Sequence, residues 1–304
     1  MTRRARLVLS ILSGYYLLVL VQKNFLLAWP PSNDIAVALP KQSCHNQTVA
    51  LCLVQKGDMR YVDEWVDYHL ALGFDTIYMM DNTEDFELQP WHQGRRDEYR
   101  IRVTHVPGNR IQNHAYRLCA DQVERDNHTW VSFLDVDEFF VLKQHDSILN
   151  FACEYVQHGH VGVNWMVFGT SGHVTVDERP VTQKFQCRYE GSDENDYIKS
   201  ILRVEDLGSE PIYDPHIFPR RKGTELTHTN GVVFDQSRHQ GPYDVAAIYH
   251  FFYKSKEEFI HKRRRGNAFF GPNVHLDAAL AGIDSYGRQL PHGTMKDDLA
   301  WKKP

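Results

Sequence analysis

From residue 48 onward, apolar positions follow two alternating periods along the chain. Thr48 to Gln55 is a continuous apolar run of strand length. From Asp58 to Leu72 the positions Tyr61, Trp65, Tyr68 and Leu72 recur at helical spacing, and Gly73 ends the helix. Strand patterns follow at 76–80, 100–106 and 130–134. A helix is expected over 111–126, with Ala115, Leu118, Cys119 and Val123 on one face. A helix over 147–157 and a strand over 161–168 continue the alternation. This order predicts an α/β fold, a three-layer, mixed and mostly parallel sheet of Rossmann-like kind. Ligands of such sheets bind beyond the carboxyl ends of the strands. Residues 170–245 are less regular, with short strands expected at 198–204 and 231–234. A strand over 246–253 precedes a helix from Lys256, where Ser255 and Glu258 form a capping box. After Gly271 no pattern is clear.

The first residues follow another rule. Arg3, Arg4 and Arg6 precede an uncharged run from Leu7 to Val21, the pattern of a secretory signal. The run is shorter than the roughly 20 residues of a usual span, and Phe25, Leu26, Leu27 and Trp29 extend it if Lys23 snorkels. No small-residue cleavage site follows. Residues 1–29 are therefore expected to be a retained signal-anchor with its basic end in the cytoplasm. The rest would lie in the lumen of the Golgi or endoplasmic reticulum, as a single-pass type II protein. Residues 30–47, with Pro30, Pro31 and Pro40, read as a stem, 48–270 as the folded domain and 271–304 as a tail. The acceptor triplets Asn46-Gln47-Thr48 and Asn127-His128-Thr129 fit a luminal placement.

Composition narrows the class. With 42% hydrophobic and 24% charged residues the chain has the make-up of a globular protein with a sizeable core. A net charge of −5 argues against a general nucleic-acid binder. The five cysteines, Cys44, Cys52, Cys119, Cys153 and Cys187, lack zinc spacing and allow at most two disulfides. Several sit in apolar runs such as Leu51-Cys52-Leu53, so buried free thiols are the expectation.

The chemistry concentrates at strand ends. Trp130 to Leu134 delivers Asp135, Asp137 and Glu138, and in an extended chain Asp135 and Asp137 share a side. Two such carboxylates repel unless neutralised. A hard divalent cation would neutralise them and would also bind diphosphate oxygens. A solvated acidic turn is the plainer alternative. Asp81 and Asn82, at the end of another strand, suit either a turn or a contact with a base or ribose. His250, in the apolar run Ile248 to Tyr253, reads as a core histidine or as a metal ligand, with His216 as its rival. The basic run Lys262 to Arg265, with Arg264 and Arg265 foremost, is a solvated face or a diphosphate clamp.

Together these segments resemble glycosyltransferase family 92 and its relatives with the nucleotide-diphosphosugar-transferase (GT-A) fold, from about Val49 to about Asn267. The resemblance is carried by Glu64 to His69 with Leu72-Gly73, Tyr78 to Asn82, Gln112, Ala115-Tyr116 and Leu134 to Phe139. It continues through Phe168 to His173, Lys199 to Ile201, His216, Tyr249-His250, Lys254-Ser255, Glu257 to Phe259, Lys262 and Arg265-Gly266. It implies a hexosyltransferase using a UDP-sugar, with galactose the first guess, and a glycan or glycoprotein acceptor. It also implies a divalent cation such as Mn²⁺ at Asp135 and Asp137, and inversion at the anomeric carbon. An inactive carbohydrate-binding protein on the same fold is the alternative. Relatives often carry Lys-Asn-Glu after the first strand. This chain has Lys56-Gly57-Asp58, so Asp58 stands in for the donor-contacting Glu. The general base is open among Asp177, Glu178 and His173, with Asp193, Glu194 and Asp196 as rivals.

Overall fold

The computed structural model describes residues 44–190, 192–270 and 292–303. The expected anchor over 1–29 and the residues 30–43 of the stem lie outside the described residues. Among the described residues no helix is long and apolar enough to cross a membrane.

Strands β1 (Val49–Gln55), β2 (Thr76–Asp81), β3 (Ile101–His105) and β4 (Trp130–Phe133) form a parallel set in the order β3-β2-β1-β4. Helices α1 (Met59–Leu72), α2 (Leu88–Gln93) and α3 (Gln112–Arg125) connect them. The chain then runs through β5 (Glu138–Leu142), α4 (Ile148–Tyr155), β6 (His160–Val167), α5 (Val181–Lys184), β7 (Cys187–Arg188) and β8 (Ile198–Arg203). It continues with β9 (Leu226–Thr227), β10 (Val233–Phe234), β11 (Ala246–His250), α6 (Lys256–Arg265), β12 (Met295–Lys296) and α7 (Leu299–Lys302). β8 enters antiparallel between β4 and β6, and β11 lies parallel to β6 and antiparallel to β5. The result is one domain around a mixed, mostly parallel ten-stranded sheet, as the alternating periods predict, with β7 and β12 paired separately.

Strand alternation sorts the side chains onto two faces. Leu51 and Leu53 pack with Trp65 and Val66 of α1 on one side. Cys52 and Val54 pack with Ala115 and Cys119 of α3 on the other. Trp65 is fully buried and its indole N–H donates to the Glu138 carbonyl at 2.8 Å, which fixes α1 against the start of β5. Gly73 takes φ +101° and closes α1, a conformation that a side chain resists. The Ser255–Glu258 capping box forms as expected.

Three expectations need correction. Four cysteines are not free thiols: Cys44 bonds to Cys153 and Cys52 to Cys119, leaving Cys187 free. Cys52 and Cys119 are far apart in sequence but share one side of the sheet, a proximity that local pattern does not encode. Residues 135–138 are not extended; the Glu138 N–H bonds back to the Asp135 carbonyl at 2.9 Å, making a tight turn into β5. The strand expected over 246–253 stops at His250, and the next amide, Phe251, donates to the carbonyl of Asp137 in that turn.

His69 illustrates a buried polar group built into the core. Its Nδ1 pairs with the Trp65 carbonyl at 2.8 Å, and its Nε2 accepts the Phe140 N–H at 3.2 Å. Protonation would put a second N–H against that amide. Burial pushes the imidazole down to about 3. A folded value below the unfolded one means the unfolded chain takes up the proton first as pH falls below about 6.5. Stability is therefore full above that pH and falls toward pH 3 by up to about 1.4 kcal/mol per pH unit from this group. His69→Gln is expected to flatten the decline of Tm between pH 7 and 5. Equal slopes in both proteins would contradict this.

Candidate functional site

In the parallel set the chain leaves β1 toward β2 and β3, then returns to the other side of β1 as β4. The carboxyl ends of β1 and β4 therefore flank a topological switch point, where open α/β sheets bind ligands. A cleft of about 480 Å³ opens there, in the range of small-ligand sites. Lys56 and Asp58 follow β1 into it, and Asp135 and Asp137 follow β4. Trp165 of β6, His216 and His250 line it as well, with Lys262 and Arg265 of α6.

The acidic turn is not a bare pair of repelling charges. Lys199, on β8 and only 1% exposed, reaches Asp135 Oδ2 at 3.0 Å and Glu138 Oε2 at 3.1 Å. Gln112 and the Tyr116 hydroxyl donate to Asp135 Oδ1 at 3.1 and 3.3 Å. Burial would raise the Asp135 carboxyl, but Lys199 outweighs it and holds the group below its ordinary value. Asp137 Oδ2 takes the ammonium groups of Lys254 at 3.1 Å and Lys262 at 2.6 Å. Against its burial, these lysines and His250 hold Asp137 well below the carboxylate range. Glu138 is different. Burial dominates and pushes it up to about 8, even with Lys199 beside it.

A divalent ion can be tested against this donor set. His250 Nε2 lies 3.6 Å from Asp137 Oδ1, too long for a hydrogen bond. It matches the spacing of two ligands that share one ion at about 2.1 Å each. Behind it, His250 Nδ1 and Glu138 Oε1 are buried without hydrogen-bond partners and stand 4.0 Å apart. A carboxylate behind a histidine is the usual support of an imidazole ligand. Asp137 Oδ1 and His250 Nε2 are thus the two groups of this donor set spaced to share a cation. Asp135 is already engaged with Lys199. His216 Nδ1 is tied to the Ile198 carbonyl at 2.8 Å, and its ring lies 5.1 Å from each of Trp165 and Tyr197. Among the described residues no group of three or more His, Cys, Asp and Glu side chains forms a ready metal cage.

The remaining expectations divide. Asp58 and Arg265 both line the cleft, joined by an ion pair of 2.5 Å that ties the end of β1 to the end of α6. Gly57 makes this possible: at φ +64° it turns the chain, and a Cβ there would crowd Arg265 Cδ at 3.1 Å. Arg264 lines a neighbouring cavity instead. Asp81 is fully buried, and its oxygens accept from the Thr83 amide and hydroxyl and from the Leu88 amide. It shapes a turn and does not line the cleft. Asn82 accepts from Lys56 Nζ at 3.1 Å and donates to the Val106 and Gly108 carbonyls, so it positions a cleft lysine. Asp177, Glu178 and His173 do not line the cleft. Asp177 pairs with Arg179 at 2.7 Å, and the His173 ring packs on Phe185. Lys56, Lys199, Trp165 and Asp214 were not given roles by sequence reasoning. A lysine inside the apolar strand 198–203 is a signal for Lys199, since a buried ammonium needs acids nearby.

The sequence profile of glycosyltransferase family 92 matches residues 52–268. A family 92 protein of Oryza sativa subsp. japonica is 25% identical over 199 residues, 62% of this chain and 33% of its own length. One from Ricinus communis is 28% identical over 180 residues, 58% of this chain and 32% of its own. The chain thus spans about a third of the length of these curated relatives. Among solved structures, S. aureus TarS 1–349 is similar over 80% of this chain and 73% of its own, at 15% identity and a TM-score of 0.40. The profile covers most of the chain, including the end of β1, the acidic turn, His250 and α6, and on that ground the chain belongs to glycosyltransferase family 92.

Proposed function

We propose that the chain transfers a hexosyl unit, inverting its anomeric carbon, from a nucleoside diphosphate sugar to a glycan acceptor. The observation that carries this reading is the switch-point cleft with Asp135 and Asp137 on one side and Lys56, Lys262 and Arg265 around them. Cations there suit a diphosphate, whose negative charge grows as the sugar leaves. Lys56 and Arg265 would hold the phosphates, with Asn82 and Asp58 keeping them aimed. Lys199 would keep Asp135 ionised and in place, free to accept from a ribose or sugar hydroxyl. Asp137 and His250 would hold a divalent cation, read as Mn²⁺ from the family resemblance. When bound, that ion supplies charge neutralisation to the leaving diphosphate. The donor is read as a UDP-sugar, with galactose first, from the family resemblance.

A luminal site in the secretory pathway, with residues 1–29 as a membrane anchor and 48–270 as the transferase domain, belongs to the same reading. Two disulfides suit an oxidising compartment, and both sequon asparagines, Asn46 and Asn127, are exposed. The test is a transfer assay with a panel of nucleotide sugars and glycan acceptors, with Mn²⁺ and with chelator. Transfer from one UDP-hexose that depends on added metal is expected. Metal-independent turnover would remove the cation from the account, and no transfer from any donor would remove the reading.

A further inference from the structure

We propose that Asp214 is the general base that accepts the proton of the acceptor hydroxyl, beside an aromatic floor made by Trp165 and Tyr197. This rests on the transferase reading above and names the residue that reading lacks. Four aspartates line the cleft. Asp58 is paired with Arg265, Asp135 with Lys199, and Asp137 with Lys254 and Lys262. Asp214 alone of the four has no cationic partner among the described residues. A carboxylate neutralised by an ammonium is a poor proton acceptor, because the cation stabilises the form that has already lost the proton.

Its position is built rather than incidental. Asp214 Oδ1 accepts the His216 N–H at 2.8 Å. The His216 carbonyl accepts the Ser200 hydroxyl at 2.7 Å, and His216 Nδ1 pairs with the Ile198 carbonyl at 2.8 Å. The 214–216 segment is thus fastened to β8, the strand that also carries Lys199. Burial and then Lys199 push the His216 imidazole down to about 4, so this ring is neutral near pH 7 and does not act as a cationic partner in the segment.

Trp165 joins the two ends of the cleft. Its ring lies 4.3 Å from His250 and 5.1 Å from His216, with Tyr197 at 5.0 Å. Its Nε1 is buried and has no hydrogen-bond partner among the described residues, so the ring meets a ligand by its face. A sugar ring over this floor would lie between the Asp137 end and the Asp214 end. Tyr213, next in chain to Asp214, is 78% exposed and extends the aromatic surface outward, where a glycan acceptor would continue.

The step balances without redox chemistry. The acceptor hydroxyl oxygen forms a bond to the anomeric carbon and its proton passes to an Asp214 oxygen. The bond from that carbon to the diphosphate oxygen breaks, and the diphosphate leaves with the electron pair.

Asp214→Asn keeps an oxygen for the His216 amide and removes the basicity. In the full chain it is expected to lower the transfer kcat by about 10²- to 10⁴-fold while UDP affinity stays within about twofold and the thermal melt is unchanged. A variant that retains more than about a tenth of the wild-type rate would overturn the assignment. So would a loss of rate that is matched by an equal loss of UDP binding. If the wild-type chain transfers nothing but binds UDP, the transferase reading fails, and the base with it.

Discussion

Lys199→Met is expected to destabilise the folded chain by about 3–5 kcal/mol at pH 7.5, the usual effect of leaving buried charge unpaired. Lys199 is 1% exposed, and among the described residues it is the only cation within ion-pair distance of both Asp135 and Glu138. Without it, those carboxyl groups lose their compensation: Asp135 is no longer held down, and Glu138, already pushed up to about 8, rises further. A raised folded value means that the deficit is largest at high pH and shrinks as the groups are protonated on going down. The melting deficit of the variant should therefore be smaller at pH 5 than at pH 7.5. Lys199→Met with Glu138→Gln should recover part of the loss. A deficit that does not change with pH and is not relieved by the second substitution would mean that packing, not charge, is what Lys199 provides.

Asp137→Asn is expected to reduce transfer by at least about 10²-fold, because it weakens both the cation ligand and the lysine cluster at the diphosphate end of the cleft. Its effect on stability follows from the structure. An unpaired aspartate pair would gain stability on losing a charge. Asp137 is not unpaired: it is 5% exposed and meets Lys254, 4% exposed, and Lys262. Removing its charge leaves two ammonium groups facing each other, so the metal-free melting temperature should fall. A melting temperature that rises would contradict these ion pairs. Full activity of the variant with metal chelated would remove Asp137 from the chemistry.

The parallel half of the sheet was readable because each strand there is a closed apolar run and each helix has a clear face. β1, α1 and α3 were all expected within a residue or two of their observed bounds. The acidic strand end was readable for the same reason: Trp130 to Leu134 is apolar and then the charge arrives. The geometry of that end was not. Asp135 and Asp137 enter the cleft through a turn; Asp135 is neutralised by Lys199, 64 residues away, and Asp137 by Lys254 and Lys262, 117 and 125 residues away. Period and propensity are local, so they cannot report a partner that the sheet order supplies. Asp214 was hidden for a second reason. Residues 204–245 hold only short strands and turns, and a lone acid before proline looks like any other turn residue there. Asp177 and Glu178 were read from their place after the segment Phe168 to His173, but that loop turns toward Arg179 and Glu257 rather than the cleft.

On the proposed function, the crevice between the ends of β1 and β4 holds a nucleoside diphosphate. Calorimetric titration of the chain with UDP in the presence of Mn²⁺ tests it most directly. Saturable binding of one UDP per chain is expected, weakened at least about tenfold in Asp137→Asn and by chelation of the metal. Binding that is unchanged by both, or no binding of UDP at all, would contradict it.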